Sequence, residues 1–193
     1  GTGGGEAIGT SHPLPTKTPN MDRVLLPSPN WYTFHGSDYI HVDPQEASAV
    51  LPALPDTVDA TTPCVGLFAY ACRNTVLIVR VCQKGPSRGG PLARSALQLT
   101  SLQRELRGHS NRICSVALFR HPTLTPHGIL CVTCSLDRSA RLWDPITGEC
   151  LRSFSSDKSE FHALSVPSVD PKVVVVGGKD GSVWVWQLES GDV

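Results

Sequence analysis

The chain of 193 residues is poor in the features that mark a helical, membrane or secreted protein. It has one methionine, Met21, and only 6% aromatic residues. Its longest apolar runs, "TVLIVRV" (75–81) and "VVVV" (173–176), are strand-sized and far from the roughly 18 residues that a membrane helix needs. It lacks an excess of either charge, since 17 basic residues balance 17 acidic ones. The seven cysteines, Cys64, Cys72, Cys82, Cys114, Cys131, Cys134 and Cys150, are odd in number and follow no charged, apolar leader. That argues against a secreted disulfide framework and leads us to expect reduced thiols, in cytosol or nucleus. The Gly-rich start "GTGGGEAIG" is no phosphate loop, because no strand precedes it and no Gly-Lys-Ser/Thr follows.

What the chain does have is 16 prolines, 17 glycines and Val-rich runs between turn residues. This pattern predicts an all-β fold. Residues 1–23 have no apolar periodicity and are expected to be disordered, with Met21 the expected start of translation. The acidic, Pro-punctuated stretch 33–65 reads as a long loop insertion. From residue 66 short strands follow one another at tight turns: "GLFAYAC", "TVLIVRV", "LQLTSLQREL", "RICSVALF", "ILCVTCS", "RSARLWD", "ECLRSF", "FHALSV", "KVVVVGG" and "SVWVWQL".

Charge is unevenly placed. Residues 66–120 carry nine Arg or Lys against one acid, Glu105, whereas both flanks are net acidic. A basic middle is either a polyanion footprint or a set of loop arginines that keep a β surface soluble.

"SLDRSARLWD" overlays "GKDGSVWVWQ" at an offset of 43 residues, pairing Asp137 with Asp180 and Trp143 with Trp186. Gly108-His109 comes early and Trp143-Asp144 late in the first unit. A period in the low forties with these dipeptides and four short strands resembles the WD-repeat propeller blade. Repeats are placed near 107–154 and 155–193, within a partial propeller over 24–193. In that family the corresponding side chains link as Asp to His to Ser to indole, which implies a structural network of His109, Ser135, Asp137 and Trp143. The same His, Ser and Asp could be read as a hydrolase triad, but no strained nucleophile elbow or oxyanion hole is signalled. In the second unit Gly178 stands where the Ser or Thr would be, Gln187 follows the Trp, and no Gly-His precedes "FHALSV". Cys131 and Cys134 form a CxxC on a strand, where an offset of three sends side chains to opposite faces, so no metal site is expected. By strand count, 66–106 supplies the later strands of one blade, 109–154 a second blade and 161–193 the start of a third. Propellers have roughly four to eight blades, so a fragment with exposed sheet edges, prone to associate, is expected.

"LLPSPNWY" (25–32), "GLFAYACRNTVLIVRV" (66–81) and "RELRGHSNRICSVALFRHP" (104–122) resemble, in order, the start of the gem-associated protein five family, WD-repeat subunits of the survival-of-motor-neuron complex. The resemblance implies recognition of small nuclear RNA through the Sm site and cap for spliceosomal particle assembly, with influence on translation. It also implies other subunits of that complex as partners and residence in cytoplasm and nucleus. By position, Asn30, Trp31 and Tyr32 match the family's RNA-facing motif, and Arg73 matches an arginine of the same surface. Aromatic rings stack on unpaired bases and arginine adds phosphate contact, so the set suits single-stranded RNA. The structural alternative makes Trp31 and Tyr32 core residues of the first blade. Most cap-binding and Sm-site positions belong to later blades, so these residues alone are not expected to bind cap. A generic protein-interaction scaffold is the alternative function; no enzymatic motif and no cofactor are indicated.

Overall fold

The computed structural model describes residues 36–51, 63–84, 96–168 and 171–193. Residues 1–35 lie outside this set, and with them the expected disordered segment 1–23 and the motif Asn30, Trp31 and Tyr32. Eleven strands and one short helix are described, in three antiparallel sheets. The first sheet orders β1 (Ser37–His41), β2 (Cys64–Cys72), β3 (Thr75–Lys84) and β4 (Ala96–Arg107). The second orders β5 (Ile113–Arg120), β6 (Ile129–Ser135), β7 (Ser139–Trp143) and β8 (Cys150–Ser155). The third orders β9 (Phe161–Ser165), β10 (Val173–Gly178) and β11 (Val183–Gln187). Each sheet is an up-and-down meander, and the sheets meet through their first strands, β1 against β5 and β5 against β9.

Strand β6 shows why the sheets stack. Every one of its residues is buried, so both faces need a partner. Ile129 and Cys131 join the core between the first and second sheets, with Leu67, Ile78, Leu106 and Trp143. Leu130, Val132 and Cys134 join the core between the second and third, with Leu142, Phe161, Val176 and Trp186. The alternation therefore splits the CxxC pair: Cys131 and Cys134 are free, fully buried thiols in different cores, and burial pushes both pKa values well above the ordinary thiol range. Among the described residues no cluster of three or more His, Cys, Asp or Glu is arranged to hold a metal.

The stretch 33–65 is not simply a loop. Residues 37–41 form β1, which pairs with β2 in the register Ser37↔Tyr70 to His41↔Gly66, so the first sheet has four described strands rather than three. Helix α1 (Pro44–Val50) follows directly. Asp43 caps it by accepting the Gln45 N–H at 2.9 Å, Pro44 opens the first turn, and Glu46 sits near the positive helix end. Ala47 and Leu51 enter the core between the first two sheets. Two further bonds tie this segment to the second sheet: Asp38 accepts the Leu118 N–H at 2.7 Å, and Arg120 reaches both Glu46 oxygens at 2.8 and 3.0 Å. The ion pair is half exposed and worth only about 0.2–1 kcal/mol, so the buried apolar contact does most of the anchoring.

Candidate nucleic-acid interface

The loop before β5 is fixed from beneath by a chain of buried polar groups. The His109 ring is completely buried; its Nδ1 lies 2.8 Å from Asp137 Oδ2 and its Nε2 lies 2.8 Å from Thr133 Oγ1. The indole N–H of Trp143 donates to the same Thr133 oxygen at 2.9 Å. Burial pulls the His109 pKa below its ordinary value, against the pull of Asp137, so the ring is neutral. A neutral ring with its proton on Nδ1 gives one consistent direction: His109 donates to Asp137, the Thr133 hydroxyl donates to His109 Nε2, and the indole donates to Thr133. Asp137 also accepts from the backbone N–H of Ser110 and Ser139, each at 2.9 Å, and from the Ser139 hydroxyl. Gly108 fits closely beside the indole, since a Cβ there would stand 3.0 Å from the Trp143 ring and 3.1 Å from the Arg141 guanidinium.

Ser135 is not a member of this chain, contrary to the sequence-based expectation. The register sets Cys131 opposite Trp143 and Thr133 opposite Arg141, so Thr133 is the diagonal neighbour of the indole. Ser135 lies four residues from the level of Trp143, about 13 Å along the strand. Its hydroxyl instead bonds the carbonyls of Asn111 and Arg112 at 3.0 and 2.9 Å and accepts the Asp137 N–H at 3.1 Å. The third sheet then makes sense in the same register. Val176, not Gly178, stands at the Thr133 position and supplies no hydroxyl. Gly178 stands at the Ser135 position, where a Cβ would come within 2.7 Å of Ser159 Oγ and 2.6 Å of the Trp184 ring. Ser159 accepts the Asp180 N–H at 3.3 Å, doing from the loop what Ser135 does from the strand. Trp186 is buried in the core against Phe154, and Trp184 packs on Phe161 at 4.9 Å.

Above this network lies the surface that carries Arg73. The β2–β3 turn consists of Arg73 and Asn74, with Arg73 in the left-handed region (φ 58) and exposed. The turn is pinned to the loop before β5: Ile113 N–H donates to Arg73 O at 2.8 Å and Asn74 Nδ2 donates to His109 O at 3.0 Å. A shallow groove of about 280 Å³ opens between them, lined by Arg73, Asn74, Ser110, Asn111 and Arg112. The lining holds two guanidinium groups, two amides and a hydroxyl, and no carboxylate. Such a surface offers charge and hydrogen-bond donors to an anion and no nucleophile–base pair for catalysis.

The other arginines of the basic middle do not collect here. Arg80 is buried and donates to Gln103 at 2.7 Å, Arg104 donates to the Ile146 carbonyl at 2.8 Å, Arg107 bonds Glu105, and Arg120 pairs with Glu46. Of the basic residues described in that segment, Arg73 and Arg112 line the groove.

The WD domain, G-beta repeat family matches residues 100–144 and 148–187. The three sheets are blades of a partial WD-repeat β-propeller. Each matched repeat starts on the last strand of one sheet, β4 or β8, and continues through the first three of the next. The WD repeat thus staples neighbouring blades, and the Gly-His of the first repeat falls at the junction. The chain is 27% identical over 170 residues to Gem-associated protein 5 of Mus musculus and 28% identical over 173 residues to that of Homo sapiens, covering 88% of this chain in each case. It spans 9% of the length of either relative. It is also 30% identical over 87 residues to the Denticleless protein homolog of Danio rerio, covering 45% of this chain and 12% of that protein. WD repeats of this kind form an interaction scaffold.

Proposed function

We propose that this WD-repeat scaffold recognises single-stranded RNA, specifically small nuclear RNA during spliceosomal particle assembly, on the blade rim that carries Arg73. The carrying observation is the groove at the β2–β3 turn, which sets Arg73 and Arg112 together with amide and hydroxyl donors and no acid in its lining. Guanidinium groups suit phosphate contact or base stacking, and rigidly held turn residues keep the ordering cost low. Support for the finer reading comes from the extent of similarity. The likeness to Gem-associated protein 5 runs over 88% of the chain, whereas the likeness to the Denticleless protein homolog covers 87 residues, about two repeats. Trp31 and Tyr32 are proposed to supply rings that stack on bases of the same RNA and Asn30 an amide that hydrogen-bonds to it, and further subunits of a survival-of-motor-neuron type complex to be the protein partners, in cytoplasm and nucleus.

The test is a fluorescence anisotropy titration of a uridine-rich single strand with the full-length protein. Saturable binding that weakens in Trp31→Ala and in Arg73→Ala supports the proposal. Equal binding by wild type and both variants removes the site, and absence of binding leaves a scaffold for proteins alone.

A further inference from the structure

The rim does not end at Arg73. Leu136 donates its N–H to the carbonyl of Arg112 at 2.9 Å, so the β6–β7 turn is joined directly to the wall of the first groove. That turn carries Arg138, which is exposed and, like Arg73, held in the left-handed region (φ 66). These are the only two non-glycine residues in that conformation among the described residues. Both occupy the turn after the second strand of their sheet. At the 43-residue repeat the counterpart of Arg138 is Gly181, also left-handed (φ 83), and a Cβ there would meet nothing within 4 Å. Glycine takes this backbone without strain and an L side chain does not, so Arg73 and Arg138 each hold, on adjacent blades, a backbone conformation that glycine adopts more easily.

Arg138 opens a second groove, of about 420 Å³, lined by Arg138, Lys158, Ser159, Glu160, Lys179 and Asp180. Its two acids are already engaged. Glu160 is paired with Lys179 at 3.3 Å and lies 3.7 Å from His162, and Asp180 accepts the Ser182 N–H at 3.1 Å and the Ser182 hydroxyl. Arg138 donates to the Asp157 carbonyl at 3.1 Å, which steers its guanidinium toward the loop of Lys158. Among the described residues, neither Arg138 nor Lys158 has a carboxylate within ion-pairing distance.

We infer that Arg138 and Lys158 form a second anion subsite, one blade along the rim, that takes phosphates of the same RNA strand bound at Arg73. The inference rests on the RNA reading above and extends it. The first groove is acid-free and suits base or phosphate contact; in the second, Lys179 offsets Glu160 and Asp180 is held by the Ser182 N–H and hydroxyl, so Arg138 and Lys158 leave the lining with an excess of positive charge, as a backbone contact requires. A strand leaving Arg73 and Arg112 meets Arg138 next.

The variant that tests this is Arg138→Gly, which installs the residue the third blade uses at the equivalent turn. It removes the cation without stressing the fold, and thermal melting checks that directly. With the full-length protein and a uridine-rich single strand, Arg138→Gly is expected to weaken binding about five- to tenfold. The slope of log K against log salt is expected to fall by roughly 0.7 for the lost phosphate contact. Unchanged affinity and slope in Arg138→Gly, alongside weakened binding in Arg73→Ala, would overturn the second subsite and leave the RNA reading standing. Displacement of the RNA by an acidic peptide, with RNA affinity indifferent to Arg138, would likewise overturn it and assign the groove to a protein. Absence of RNA binding by wild type would remove both.

Discussion

Trp143 donates its indole N–H to the hydroxyl of Thr133, one diagonal step across the β6–β7 ladder, and His109 meets the same oxygen from the other side. Thr133→Val keeps shape and volume while leaving two buried polar groups without a partner. It is expected to cost roughly 2–3 kcal/mol in urea unfolding. Ser135→Ala, which frees only bonds to the turn backbone, is expected to cost about 1 kcal/mol. A larger loss for Ser135→Ala than for Thr133→Val would place the hydroxyl of the network on Ser135 after all.

Acid should weaken the fold in two stages. Burial holds His109 below its ordinary value of 6.5, so below about that pH the unfolded chain binds a proton that the folded ring refuses. Unfolding free energy therefore falls as pH drops from 6.5 toward the depressed folded pKa. Asp137 is buried, which raises its pKa, but the Ser139 hydroxyl, the His109 ring and the Ser110 N–H outweigh this and hold it below the usual 3.8. Its contribution is present above 3.8 and is lost as pH falls through the folded value. Melting temperature against pH checks both, with His109→Asn removing the histidine part of the first stage. A wild-type melting temperature that is flat between about pH 7 and 5 would contradict a buried neutral His109.

Gly178→Ala should be destabilising by about 1–3 kcal/mol, because the new Cβ meets Trp184, Ser159 and Asp180. In a Ser159→Gly background part of that loss should return, since one of the three obstacles is gone. Strict additivity of the two changes in a double-mutant cycle would show that strand and loop do not share this space.

Arg138→Gly should leave stability unchanged or raise it by up to about 1 kcal/mol, through relief of the left-handed backbone. A fall in melting temperature would show that Arg138 serves packing and not the surface.

The strands from residue 64 onward were legible because alternation, turn residues and a 43-residue offset all agree, and each observed strand overlaps its expected segment. Strand β1 and helix α1 were hidden by proline and acidic residues, which read as loop. Yet Asp43-Pro44 followed by Glu46 is a helix start, and "SDYIH" alternates. That Thr133 and not Ser135 meets the indole is not legible from alternation, because both lie on the same face of β6 and only the pairing register, with Cys131 opposite Trp143, decides between them. The grouping of Arg73 with Arg112, and of Arg138 with Lys158, depends on how turns of one blade meet loops of the next, a contact that spacing along the chain does not encode.

The claim that this rim meets RNA is tested most directly by photocrosslinking a 4-thiouridine single strand to the full-length protein and mapping the modified peptides by mass spectrometry. The account predicts crosslinks in the peptide that holds Trp31 and Tyr32 and in those bearing Arg73 and Arg112. Crosslinks confined to the opposite ends of the blades, around Thr147 and Glu149, would contradict it.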